Sequence, residues 1–318
     1  MDAQQAVRDK AGRPAREHVP LEHMLSLNEV PLFSELSKRH LRRVTKLVEI
    51  RRYRSVPVVR AGARGDSFHV ILDGRADVHP LTGRDVVLEP GDSFGELSLL
   101  DGAPRDATVS AVGELTTACI RRSAFQELLR TEPGLGLGVA RGLVTLVRSM
   151  RGEEAAPGVA EPPPETPAAG KDEGANIEGH TSLGWLSTLS RVPLFAELKG
   201  RHLSRVIRLA QLRRFAAGTA IVREGGSGDS FQILLDGRAR VEGPGGRILE
   251  AGDSFGELAL LDGKPRAATV TATDDVTAAR IARADFVKLL KAEPQVVMGV
   301  LRGLVRIVRS LEAQAQGA

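Results

Sequence analysis

Two residue pairs in this chain have the types and spacing for anion chemistry. In GDSFGELSLLDGAPRDATVSA, residues 91–111, Glu96 precedes Arg105, and the pattern returns in GDSFGELALLDGKPRAATVTA, residues 252–272, as Glu257 and Arg266. A guanidinium is a rigid fork of donors that matches phosphate oxygens two at a time. Gly95 and Gly256 allow the backbone to approach an anion closely. If ELSLL and ELALL each form a short helix, free N–H groups at its start face the same anion. An enclosed glutamate beside a phosphate makes sense where something offers it donors, and a sugar hydroxyl is the obvious candidate. A phosphate with a ribose hydroxyl describes a nucleotide held compactly.

The elements that position these pairs are repeated with them. PLFSELSKRHLRRVTKLVEIRRY (31–53) aligns with PLFAELKGRHLSRVIRLAQLRRF (193–215) at an offset of 162, which becomes 163 at Asp66 and Asp229 and 161 from the second GDSF onward. Such small changes are loop-length adjustments, so two whole modules are duplicated, far longer than the repeat of a solenoid. The expected division is a flexible segment over 1–27, modules over 28–151 and 183–312, a Pro/Gly/Glu-rich linker over 152–182 and a tail over 313–318. Within each module, HLRRVTKLV and HLSRVIRLA have helical spacing. SFHVILDGRADVHPL and SFQILLDGRARVEG alternate as strands, and ATVSAVGELTTACIRR and ATVTATDDVTAARIAR are rich in strand formers. SAFQELLRTEP and ADFVKLLKAEP then stop at proline, and a last helix follows. Short strands flanked by helices suggest a small antiparallel barrel or jelly roll.

The cassette G-D-x-F-G-E-L-A-L-L-x-x-x-P-R-A-A-T resembles the phosphate-binding cassette of cyclic-nucleotide-binding domains. The upstream segments 62–76 and 225–239, of the form G-x-x-G-D-S-F, are also similar to that family's pattern. The resemblance covers both modules. It implies an α+β, mainly β fold: two tandem β-roll (jelly-roll) domains with flanking N- and C-terminal helices. It assigns Glu96 and Glu257 to a ribose 2′-hydroxyl, and Arg105 and Arg266 to the cyclic phosphate. Gly95, Leu97 and Ala107 complete the first cradle, and Gly256, Leu258 and Ala268 the second. The ligand implied is cAMP, with cGMP as the alternative, and no metal.

The copies differ directly after the arginine. Ala267 is the small residue typical of cAMP-binding members, whereas the first copy has Asp106; the Thr associated with cGMP preference stands in neither. A carboxylate about 4 Å from a phosphate costs a few kcal/mol at an effective dielectric near 20. Asp106 therefore points away, pairs with Arg105 or a nearby base, or meets a guanine N–H. For a lid over the base, the flat side chains to hand are Trp185, better read as an interdomain anchor, and Arg201, better read as a surface residue.

Other features take plainer readings. His40 and His202 have no second ligand at metal spacing, and Cys119 in its strand is read as buried and inert. Arg141, Arg148, Arg302, Arg306 and Arg309 on the last helices are read as solvated, with the Val and Leu stripe packed inward. RRSA at 121–124 is read as a structural strand-to-helix junction. No nucleophile elbow, catalytic triad or Walker loop is present, so no enzyme is expected.

Composition sets the outer bounds. With 318 residues, 42% hydrophobic and 26% charged, two globular domains are expected. The pI near 9.5 invites a nucleic-acid reading, but the basic residues are spread along the chain, with one Trp and one Tyr, so no DNA partner is expected. The absence of a secretory h-region and the single cysteine point to the cytoplasm, and no apolar run is long enough for membrane insertion. With no helix-turn-helix and no kinase-inhibitor segment, a ligand-induced helix movement is expected to be read by an unidentified effector protein, with a homodimer as a further option. The alternatives are an interaction scaffold with vestigial pockets, and a cyclic-dinucleotide receptor, for which Asp106 is the best supporting feature.

Overall fold

The computed structural model describes residues 27, 29–81, 85–152, 182–243 and 246–316. Most of the expected N-terminal segment and of the linker lies outside the described residues, as does the side chain of Trp185. The chain divides into two compact units, one running to Leu146 and including the chain from Val308 onward, the other Val147–Ile307.

Unit 1 opens with a 3-10 turn at Pro31–Phe33 and helix α1 (Lys38–Thr45), whose first turn is capped by the Ser37 hydroxyl accepting from the His40 amide. Strands β1 (Val48–Arg54), β2 (Pro57–Val59), β3 (Ser67–Pro80), β4 (Val86–Leu88) and β5 (Ser93–Phe94) follow. Then come α2 (Ser98–Asp101), β6 (Ala107–Arg121), α3 (Arg122–Thr131) and α4 (Pro133–Met150). The strands form one antiparallel six-stranded sheet in which the long β3 and β6 pair over nearly their whole length. RRSA spans the junction of β6 and α3, and Pro133 opens α4 at the first helical position, where its missing N–H costs nothing.

Unit 2 repeats the order with α5 (Ser182–Arg191), a 3-10 turn at Pro193–Phe195, α6 (Gly200–Ile207), β7 (Ala210–Phe215), β8 (Ala220–Val222), β9 (Ser230–Asp236), β10 (Ala239–Val241), β11 (Ile248–Leu249) and β12 (Ser254–Phe255). After these come α7 (Ala259–Asp262), β13 (Val270–Ala272), β14 (Val276–Ala282), α8 (Arg283–Ala292) and α9 (Pro294–Gln316). Here the two long strands are each broken in the middle, giving two four-stranded antiparallel sheets, β11-β10-β13-β8 and β12-β9-β14-β7. The interior of the roll is filled by Phe215, Leu234, Leu249, Val270 and Val276, as Ile71, Phe94, Val109 and Leu115 fill that of unit 1. The expected mainly-β architecture with flanking helices is what the chain adopts.

With few aromatic residues to use, each unit concentrates three at one place. Phe33 meets Phe68 and Phe125 edge-on at 5.7 and 5.8 Å, and Phe195 meets Phe231 and Phe286 at 5.6 and 5.7 Å. These triads pin the 3-10 turn to the sheet and to the helix after it. The C-terminal helix then packs onto the turn through glycine: a Cβ at Gly142 would lie 2.4 Å from the Pro31 carbonyl oxygen, and one at Gly303 2.5 Å from that of Leu194. Glycine costs an exposed helix roughly 1 kcal/mol relative to alanine, and here it permits a backbone-to-backbone approach that no side chain allows. Among the described residues no helix is long and apolar enough to cross a membrane.

Candidate functional site

Each cassette is a turn held by its own leucines. In unit 1 the chain leaves β5, reverses at Gly95, makes the single helical turn α2 and returns through Arg105 into β6. Leu97, Leu99 and Leu100 are buried, and Leu258, Leu260 and Leu261 do the same in unit 2. The side chains of Leu97 and Leu258 therefore anchor the turn, leaving Glu96 and Glu257 partly exposed beside it. The short helix expected from ELSLL and ELALL is present, at four residues in each copy.

The arginines are the buried part of the site. Arg105 is 5% exposed and Arg266 7%. Arg105 Nη2 donates to the Ser67 carbonyl and, at 3.1 Å, to the Ser67 hydroxyl, while its Nε and Nη1 are buried with no hydrogen-bond partner among the described residues. Arg266 Nη2 donates to the Ser230 hydroxyl at 2.9 Å. A buried guanidinium with donors left over is a costly arrangement that an anion would relieve, and burial lowers the pKa of Arg105 from the usual arginine value. The glycine requirement has the same origin. Gly95 has φ +82°, and a Cβ there would stand 2.1 Å from Arg105 Nη1; at Gly256, φ +80°, the separation from Arg266 Nη1 would be 2.3 Å. Burial likewise pushes the Glu96 carboxyl up from its ordinary range, against the pull of Arg309 and Arg105.

In unit 2 the structure brings all six candidate residues of the second cassette, Gly256, Glu257, Leu258, Arg266, Ala267 and Ala268, around one pocket, together with Arg148 and Arg151. Arg148 is ion-paired with Asp262 at 2.7 Å, the two side chains being 10% and 6% exposed, and Arg151 Nη1 stands 3.8 Å from Glu257 Oε1. In unit 1 the equivalent arginine, Arg309, donates from Nε to Asp101 at 2.8 Å and from Nη1 to Asp106 at 2.6 Å. Asp106 thus points outward, 77% exposed, and of the options the sequence offered it takes the nearby base, Arg309, and not Arg105.

The expectation that all the last-helix arginines lie in water is corrected here. Arg302 and Arg306 are exposed and Arg141 is partly buried, but Arg148 is buried and Arg309 half-buried because the carboxylates that end each cassette's helical turn, Asp262 and Asp101, receive them. Sequence reasoning missed these arginines and their partners Asp101 and Asp262, although the repeated V-R-S of 147–149 and 308–310 and the L-L-D-G of 99–102 and 260–263 carry the signal. It also missed Ser67 and Ser230, the repeated serines of the upstream GDSF. Arg201 is exposed, His202 is buried, and no group of three His, Cys, Asp or Glu among the described residues could hold a metal. Cys119 is buried and its thiol is pushed up to about 11 by desolvation.

Beneath Arg105 lies a further buried group, His69. It bonds Thr117 Oγ1 through Nδ1 and Ser67 Oγ through Nε2, both at 3.1 Å, and stacks on Phe94. Burial, with Arg51 and Arg105 nearby, lowers its pKa to about 3. Unfolded, the imidazole takes a proton near pH 6.5; folded, it stays neutral far below that. The unfolded state therefore binds more protons as pH falls through 6.5, and stability drops by up to about 1.4 kcal/mol per pH unit. Unit 2 carries Gln232 at this place, 2% exposed. His69→Gln is expected to flatten the acid side of the stability curve between about pH 6.5 and 4 in urea unfolding; an unchanged acid limb would show that His69 does not titrate on unfolding.

The cyclic nucleotide-binding domain family matches residues 54–132 and again residues 212–293. The cAMP-dependent protein kinase regulatory subunit of Aspergillus fumigatus is 31% identical over 255 residues, covering 74% of this chain and 51% of the relative. That of Hypocrea atroviridis is 29% identical over 273 residues, covering 81% and 48%. The chain spans about half the length of the curated relatives it matches. Among solved structures, cAMP-bound PfPKA-R is 22% identical, covers 95% of this chain and 94% of its own, and has a TM-score of 0.37. The regulatory domain of Toxoplasma gondii PKA with cAMP is 24% identical, with coverages of 95% and 99% and a TM-score of 0.33. Two family matches that together take in half of the chain, each enclosing a glycine-backed arginine and its partner glutamate, identify the chain as a tandem member of the cyclic nucleotide-binding domain family.

Proposed function

We propose that this protein is a non-catalytic sensor that binds a cyclic nucleotide, cAMP by preference, in each of its two cassettes, and that binding shifts the C-terminal helices for an effector protein to read. The observation that carries the reading is Arg105, buried against Gly95, whose Nε and Nη1 have no hydrogen-bond partner among the described residues, with Glu96 close by. A cyclic phosphate would satisfy those donors, and a ribose hydroxyl would donate to the glutamate. Ala267, at the edge of the second pocket, favours cAMP. The regulatory-subunit relatives support an effector of the protein-kinase type. With Asp106 exposed and engaged by Arg309, the feature that most favoured a cyclic dinucleotide has a partner already.

A ligand moves the helices only as far as it binds one arrangement more tightly than the other. The discriminating probe for the phosphate fork is adenosine, which has the base and the ribose without the anion. By equilibrium titration cAMP is expected to bind about a hundredfold more tightly than adenosine, since a buried charged pair contributes about 3 kcal/mol. Equal affinities would sink the phosphate-fork reading, and no binding of either would sink the function.

A further inference from the structure

The two cassettes are nearly identical in sequence but differ in the charge that the last helix brings beside them, Arg151 in one copy and Glu312 in the other. In unit 2, Arg148 is anchored on Asp262, and the Arg151 amide continues the helical turn by donating to the Val147 carbonyl at 3.1 Å. Arg148 and Arg151 are thus three apart on one helical face, and both line the pocket with Glu257 and Arg266. In unit 1, Arg309 is anchored on Asp101 and Asp106. One turn beyond it, at the position of Arg151 under the 161-residue offset, the sequence has Glu312, partly buried and on the same face. Among the described residues, Arg148, Arg151 and Arg266 thus stand with Glu257 and Asp262 in unit 2. In unit 1 Arg105 and Arg309 stand with Glu96, Asp101 and Asp106, and Glu312 lies one turn beyond Arg309. The pKa of the Glu312 carboxyl is raised by burial first and then by the Glu96 charge.

We propose that the residue one turn past the anchored arginine, Arg151 in unit 2 and Glu312 in unit 1, sets the anion affinity of each cassette, making the second the tight site and the first the weak one for a cyclic phosphate. This rests on the cyclic-nucleotide reading above. Neither residue is assigned a contact to the ligand; each acts through the field at the phosphate, and so is a specificity-determining residue whose effect must fade with salt.

The test is a charge exchange in the full-length chain with cAMP as the probe and one cassette silenced. Glu312→Arg in an Arg266→Ala background is expected to tighten site 1 by about tenfold. Arg151→Glu in an Arg105→Ala background is expected to weaken site 2 by about the same factor. Both differences should shrink when salt is raised from about 0.05 M to about 0.5 M, and the neutral changes Glu312→Gln and Arg151→Gln should give intermediate values. Affinities that move less than about twofold, or shifts that salt leaves untouched, overturn the proposal while leaving the cyclic-nucleotide reading intact. No cAMP binding in either silenced chain or in the unsubstituted one overturns both.

Discussion

Arg266→Ala is expected to weaken cAMP at the second cassette by at least about a hundredfold, and Arg105→Ala to do the same at the first, each leaving the other cassette in place. The size follows from the environment. Each guanidinium is buried, bonded to a serine and packed against the glycine at the cassette's turn. Removing a buried charged partner of a phosphate costs about 3 kcal/mol or more. The ligand-free protein should tolerate the loss, because a desolvated guanidinium costs stability in the folded state; the lowered pKa of Arg105 is the same penalty expressed in protons. Lost affinity with an unchanged thermal midpoint therefore identifies a ligand contact. Lost affinity together with a falling midpoint would mark the arginine as structural.

Gly95→Ala should weaken the first site about a hundredfold while leaving Arg105 itself unsubstituted. A Cβ at Gly95 would stand 2.1 Å from Arg105 Nη1 and 2.9 Å from the Ser67 carbonyl oxygen, so the guanidinium must leave its seat. The positive φ adds backbone strain of roughly 1–2 kcal/mol. Gly91 separates the two effects: its φ is +98°, yet a Cβ there meets nothing within 4 Å. Gly91→Ala should lower stability by the strain alone and keep cAMP affinity, whereas Gly95→Ala should lose about a hundredfold in affinity, comparable to Arg105→Ala, through the displaced fork. Equal affinities in the two alanine variants would show that the close packing of glycine and arginine is not what positions the fork.

What the sequence makes legible is what lies close together in it. Glu96, Gly95 and Arg105 share one turn, and their recurrence as Glu257, Gly256 and Arg266 isolates them from a background of Gly, Ala and Leu. The order of helix, short strands and helices was readable for the same reason, since each element carries its own period. Ser67 and Ser230 reach the arginines from 38 and 36 residues away. Nothing local distinguishes a serine that supports a guanidinium from one that begins a strand. Arg148 and Arg309 were harder still. Their helices have an apolar stripe with arginines between, a pattern that solvation explains equally well. Only the fold places Asp262 and Asp101 against them, 114 and 208 residues away. Asp106 shows the limit from the other side. The sequence narrowed it to a few orientations, and the choice among them depended on an arginine two hundred residues downstream.

The most direct test of the account is isothermal titration of the unsubstituted full-length chain with cAMP, counting sites. The account predicts two binding events per chain, the tighter at the cassette of Arg266 and the weaker at that of Arg105. A chain that takes up no cAMP in either cassette would contradict it.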